Sequence, residues 1–107
     1  MRIGSFLFVS WQLPIDPEGH IVTGTVAEQA AQALANIRAI VEAADGTVAS
    51  IVQCTIYISD IVHWVEVDGI YGAFFKRVPV SPARAVEPVK EMHLGAHIEI
   101  QAIAVID

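Results

Sequence analysis

Apolar and polar residues change rhythm several times along this chain, and each rhythm predicts an element. From Val26 to Ala44 the apolar side chains Val26, Ala30, Ala33, Leu34, Ile37, Ile40, Val41 and Ala44 keep the spacing that lays one stripe along a helix. Thr25 precedes them as an N-cap, Glu28 completes a capping box, and Gly46 lies just past the end. Residues 50–59, SIVQCTIYIS, alternate instead. Val52, Cys54, Ile56 and Ile58 share one face, while Gln53, Thr55, Tyr57 and Ser59 share the other, which predicts a strand with two different neighbours. The same period returns in a last strand from His97 to Ile106, with Ile98, Ile100, Ala102, Ala104 and Ile106 on its apolar face and His97, Glu99 and Gln101 opening the other.

Between these strands, Asp60 is placed to cap a second helix whose stripe is Trp64, Val67, Tyr71, Phe74 and Phe75. Their helical spacing makes core packing the reading of these aromatics, rather than an aromatic box. Gly69 and Gly72 each cost that helix about 1 kcal/mol relative to Ala, so its packing must hold it. Near the start, the apolar run SFLFVS (5–10), the turn-rich PIDPEGH and a short HIVT (20–23) predict a hairpin. A short strand around Arg84 follows KRVPVSP, and EPVKEMHLGA reads as irregular. The order β-β-α-β-α-β-β, in one domain over 1–107, predicts an α+β fold with two helices on one face of one sheet. The opposite face, half polar and half apolar, is left for contact between subunits.

Composition sharpens that expectation. The hydrophobic fraction is 54%, and the mean hydropathy of +0.54 is high for a water-soluble chain. No apolar run approaches the roughly 20 residues of a membrane helix, and Met1–Gly4 lacks the layout of a signal peptide. A cytoplasmic protein that hides apolar surface by self-association, with no membrane partner, is expected. The net charge is −6 with only six Lys and Arg, which disfavours an electrostatic grip on nucleic acid. The single cysteine, Cys54, excludes an internal disulfide or a cysteine-based zinc site, and reads as a small buried residue. His93 and His97 are spaced like ligands on a helix, but Gly95 lies between them and a strand begins at His97, so no metal is expected. Ser10 has no legible histidine and aspartate partners, which makes its hydroxyl a hydrogen-bonding group rather than a nucleophile.

The residue that calls for chemistry is Arg84, set among small and apolar neighbours in SPARAVEPV (81–89). A guanidinium cannot shed its charge, so on burial it must meet an anion. Glu99, expected on a neighbouring strand, is the natural counterpart. The two fit either a structural ion pair at an interface or a site for a small acid, in which Arg84 grips a carboxylate and Glu99 handles water.

The stretches FVSWQLPIDPEG (8–19), VAEQAAQALANIRAIVEAADGTVASIVQCTIYISD (26–60), YGAFF (71–75), PARAV (82–86) and HIEIQAIAVI (97–106) resemble the Rid (YjgF) family of enamine/imine deaminases over nearly the whole chain. The Pro-Ala-Arg core followed by Ile-Glu-Ile carries the resemblance. It implies a chorismate-mutase-like homotrimer with ligand sites in the clefts between subunits. It also implies cofactor-free hydrolysis of reactive 2-imino acids to 2-oxo acids and ammonia. By the same resemblance Arg84 binds the substrate carboxylate, Glu99 orients the attacking water, and Ser10 with the backbone near Val86 completes the pocket.

The chain departs from the family in four places: Trp11 stands where Gly follows Ser, Val86 where Cys is common, Glu87-Pro88 where an apolar strand residue is usual, and the family's N-terminal segment with its site-lining Tyr has no counterpart. This marks a divergent member with a truncated N-terminus. An indole at Trp11 fills or reshapes the cleft, so the alternative is a non-catalytic trimer that binds a small carboxylate or a partner protein. Ribonuclease or translation-inhibitor roles described for some relatives gain little support from the acidic balance.

Overall fold

The computed structural model describes residues 1–90 and 92–107, the side chain of His93 excepted. The elements run β1 (Arg2–Ile3), β2 (Phe6–Gln12), α1 (Val26–Ala43), β3 (Ile51–Ile58), α2 (Trp64–Phe74), β4 (Ala83–Pro88) and β5 (Ile98–Val105). The strands form one sheet in the order β1-β2-β5-β3-β4. β3 and β4 pair in parallel across α2, and the other neighbours are antiparallel. Both helices pack on one face, so the expected architecture and element order hold.

Local chemistry explains the helix ends. At α1 the Glu28 amide donates to Thr25 Oγ1 at 3.1 Å and the Thr25 amide to Glu28 Oε1 at 3.3 Å, the reciprocal bonds of a capping box. The left-handed residue after α1 is Asp45 (φ 67) rather than Gly46. Gly46 is needed for closeness: a Cβ there would lie 2.8 Å from Ile106 Cδ1 and 2.9 Å from Val41 Cγ1. Asp60 caps a short 3-10 turn, Ile61–His63, by accepting from the Val62 amide at 3.0 Å, and that turn leads into α2.

The core lies between sheet and helices, where Leu34, Ile37, Val41, Ile56, Ile58, Val67, Ile98 and Ile100 are sealed from solvent. Among the described residues one polar side chain is buried there. Gln29 donates to Val22 O and accepts from the His97 amide, both at 2.9 Å, which ties the loop before α1 to the start of β5. All five apolar positions foreseen on the inner face of the last strand are buried.

Two expectations are corrected. The hairpin partner of β2 is β1, not HIVT: residues 13–22 form a separate small loop with an isolated Ile15–Ile21 bridge. Asn36 Nδ2 draws that loop onto α1 by donating to Leu13 O at 3.0 Å and Ile15 O at 2.9 Å. In β3 the register slips between Ile51 and Gln53. This bulge turns Val52 outward and gives its inward place to Ile51.

The face of the sheet away from the helices is open. Phe6, Phe8 and Val52 stand on it, 49%, 41% and 43% exposed, among Gln53, Thr55 and Gln101. Large exposed apolar side chains gathered on one face are the signature of a surface meant to be covered.

Candidate active site

Arg84 enters from the edge strand β4, opposite Cys54 of β3, on the helix side of the sheet. Its side chain lies across α2. Nη1 donates to Asp68 Oδ1 at 2.7 Å, and the guanidinium carbon sits 4.7 Å from the ring centre of Trp64 and 5.0 Å from that of Tyr71. Trp64, Asp68 and Tyr71 follow one another at helical spacing, so α2 offers a carboxylate between two aromatic faces. The side chains of Arg84 and Asp68 remain 36% and 49% exposed, which leaves the guanidinium open to a ligand. Beside it is a cleft lined by Tyr71, Phe75, Lys76, Ser81, Pro82 and Arg84.

Beneath the guanidinium the site is dry. Cys54 is fully buried, and burial pushes its thiol up to about 11, with the Tyr71 side chain acting weakly the other way. Burial, and then the neighbouring Cys54, push the Tyr71 hydroxyl far above its usual range, with the Arg84 charge opposing. Among the described residues that hydroxyl has no hydrogen-bond partner of good geometry. The stripe read as core packing thus has a second duty, since Trp64 and Tyr71 also hold the arginine.

Glu99 is elsewhere. It sits in β5 opposite Tyr57, with β3 between β5 and β4, and its neighbours Ile98 and Ile100 point into the core. Glu99 therefore faces the open side of the sheet. The expectation that it lies on the strand next to Arg84 is corrected: the carboxylate that meets Arg84 in one chain is Asp68. Spacing alone hid this partner, although a carboxylate within the aromatic stripe of α2 was a usable signal.

On the open side with Glu99 lie Ser10 and Trp11. A bulge in β2, where Ser10 and Trp11 together oppose Gln101, overrides strict alternation and keeps the indole out of the core. Trp11, 48% exposed, packs against Tyr57 with ring centres 4.3 Å apart. Ser10 is exposed, and its carbonyl accepts from Gln12 Nε2 at 3.1 Å. A shallow depression next to them is lined by Phe8, Ser10, Trp11, Gln53, Thr55 and Gln101. Val86 turns inward, partly buried against the core, so its backbone rather than its side chain is available at the free edge of β4. Pro88 ends that edge strand, a place where a missing donor is tolerated.

Among the described residues no three potential metal ligands gather. His97 Nδ1 is 2.9 Å from Ser59 Oγ, and its ring lies 5.5 Å from that of His63. The spacing argument that joined His97 to His93 rests on a side chain outside the described residues. Among the described residues no helix is long and apolar enough to cross a membrane.

Fold and site together define a class: a β-β-α-β-α-β-β protein with an aromatic-braced arginine at the sheet edge and a glutamate on the opposite, uncovered face. The chain belongs to the family described as Endoribonuclease L-PSP, the Rid (YjgF) family, whose model matches residues 1–106. It is 43% identical over 106 residues to a RutC family protein of Aquifex aeolicus, covering 98% of this chain and 84% of that one. It is 38% identical to a 2-iminobutanoate/2-iminopropanoate deaminase of Escherichia coli, covering 96% of this chain and 81% of the relative. Escherichia coli TdcF with bound serine superposes with a TM-score of 0.94 at 33% identity, covering 100% of this chain and 85% of that one.

Proposed function

We propose that this protein is a cofactor-free hydrolase that converts reactive 2-imino and 2-enamino acids to 2-oxo acids and ammonia, at sites built between copies of the chain in a cytoplasmic homotrimer. The observation that carries the reading is the braced, half-exposed guanidinium of Arg84, whose planar fork suits a carboxylate. Deaminase relatives at 38–39% identity add support. Because Glu99 faces the other side of its own sheet, the second half of each site comes from a neighbouring copy seated on the open face.

The chemistry asks little of the protein. Arg84 fixes the substrate carboxylate and thereby the imine carbon. Glu99 accepts a hydrogen bond from water and aims it at that carbon. The C–O bond forms as one water proton passes to the imine nitrogen; the C–N bond then breaks as the new hydroxyl gives its proton to the departing nitrogen, releasing ammonia and leaving the carbonyl. Ser10 and the backbone of Val86 hydrogen-bond the substrate, and no cofactor, metal or nucleic acid takes part.

The test is semicarbazide trapping of 2-iminopropanoate and 2-iminobutanoate made by an amino-acid oxidase. Faster imine loss with wild type and none with a still-assembled Arg84→Ala supports the reading. No acceleration by a trimeric wild type overturns it for these substrates.

Trp11 favours a second reading, a non-catalytic small-carboxylate binder, since its half-exposed indole stands on Tyr57 on the same side as Glu99. Under that reading wild type is inert and Trp11→Gly gains imine hydrolysis. If Trp11→Gly is no faster than an inert wild type, the indole is not what blocks the site.

A further inference from the structure

Asp68 occupies one end of the Arg84 fork and leaves the other end unused. Only Nη1 meets it, at 2.7 Å, while among the described residues Nε and Nη2 donate to nothing. That free edge is the pair of parallel donors a ligand carboxylate takes. The cleft beside Arg84 carries a second cation, Lys76. Two cations alone would favour a dianion; Asp68 cancels one of them and leaves a surplus matched to a single carboxylate.

We infer that Asp68 is a specificity-determining residue, a resident carboxylate that sets the Arg84 cleft to accept monocarboxylates and to reject dicarboxylates. The inference rests on the reading of Arg84 as a carboxylate clamp. A carboxylate held through Nε and Nη2 lies on the order of 6 Å from the Asp68 carboxylate, where like charges at a partly exposed site repel by enough to change affinity several-fold. A second carboxylate on the ligand meets the same repulsion again. Asp68 does not touch the ligand; it acts through the charge it adds and through its hold on Nη1.

The experiment is calorimetric titration of wild type, Asp68→Asn and Arg84→Ala with 2-oxobutanoate, with 2-oxoglutarate, and with the neutral 2-oxobutanamide. Asp68→Asn keeps a carbonyl oxygen for Nη1 and removes only the charge, at a half-exposed position where folding is not at stake. The expected result is tightening of about three-fold for the monocarboxylate, about ten-fold for the dicarboxylate and none for the amide. A uniform shift for all three ligands, or weaker binding of both acids, overturns the inference while leaving the clamp intact. Carboxylate binding unchanged by Arg84→Ala overturns the clamp as well, as does the absence of carboxylate binding by both wild type and Asp68→Asn.

Discussion

Arg84 and Glu99 stand on opposite faces of one sheet, with β3 running between their strands. A single copy cannot turn both toward one small molecule, so a site that uses them takes one from each of two copies. In a ring of three or more copies every such contact is heterologous, one copy giving the arginine and the next the glutamate. Arg84→Ala and Glu99→Gln, each inactive alone, are therefore expected to regain about a quarter of wild-type imine hydrolysis when co-expressed in equal amounts, since random assembly restores that share of sites. Activity of mixed oligomers after co-purification checks this, and no recovery from mixed oligomers rules out shared sites.

Among the described residues the Tyr71 hydroxyl is buried beside the Cys54 thiol with no hydrogen-bond partner of good geometry, yet its ring supports Arg84. Tyr71→Phe keeps the ring and removes a desolvated hydroxyl. Stability in urea is expected to stay level or rise by about 1 kcal/mol. A loss larger than that would show that the hydroxyl is satisfied in solution.

Alkaline pH should loosen the fold through Cys54, whose thiol is pushed from its ordinary value of 9.0 up to about 11 by burial. The unfolded chain gives up that proton first, so the stabilisation is complete below about pH 9 and is lost as pH climbs toward 11. Tyr71, shifted in the same direction, extends the loss to higher pH. The loss from the thiol is on the order of 2 kcal/mol at pH 11, and Cys54→Ala should flatten the slope. Denaturant melts at stepped pH decide it, and equal slopes in wild type and variant would exclude the thiol as the cause.

Two glycines should answer oppositely to alanine. At Gly46 the new methyl meets Ile106 and Val41 below 3.0 Å, an overpacking expected to cost about 1–3 kcal/mol. At Gly69, in α2, nothing lies within 4 Å, and the same change should stabilise by about 1 kcal/mol through helix propensity. Thermal melts of the two variants should move in opposite directions, and a common direction would refute the packing argument.

What the sequence made legible follows from how local each determinant is. Thr25 and Glu28 mark the start of α1 because capping involves neighbours in the chain. Ile98, Ile100, Ala102, Ala104 and Ile106 mark the inner face of β5 because burial repeats with the pleat. The bulges at Ser10–Trp11 and Val52 carry no local signature, being set by register against β5, so strict alternation does not show the outward turn of Val52. HIVT has the composition of a strand, and nothing in its own residues announces that Asn36, far along the chain, takes up the carbonyls of Leu13 and Ile15. Arg84 stands out as a charge in need of a partner, but the partner depends on α2 placing Asp68 beside it and on β3 holding Glu99 away.

The chain has two tryptophans, and the fold gives one to each half of the candidate site: Trp64 under the Arg84 guanidinium, Trp11 on Tyr57 on the side of Glu99. On the proposed function, each indole would sense a different event through its emission. A carboxylate arriving at Arg84 would alter the charge beside Trp64, whereas a second copy covering the open face would remove water from Trp11. The protein thus carries two intrinsic indole fluorophores, and Trp11→Phe and Trp64→Phe would separate ligand capture from assembly without an added dye.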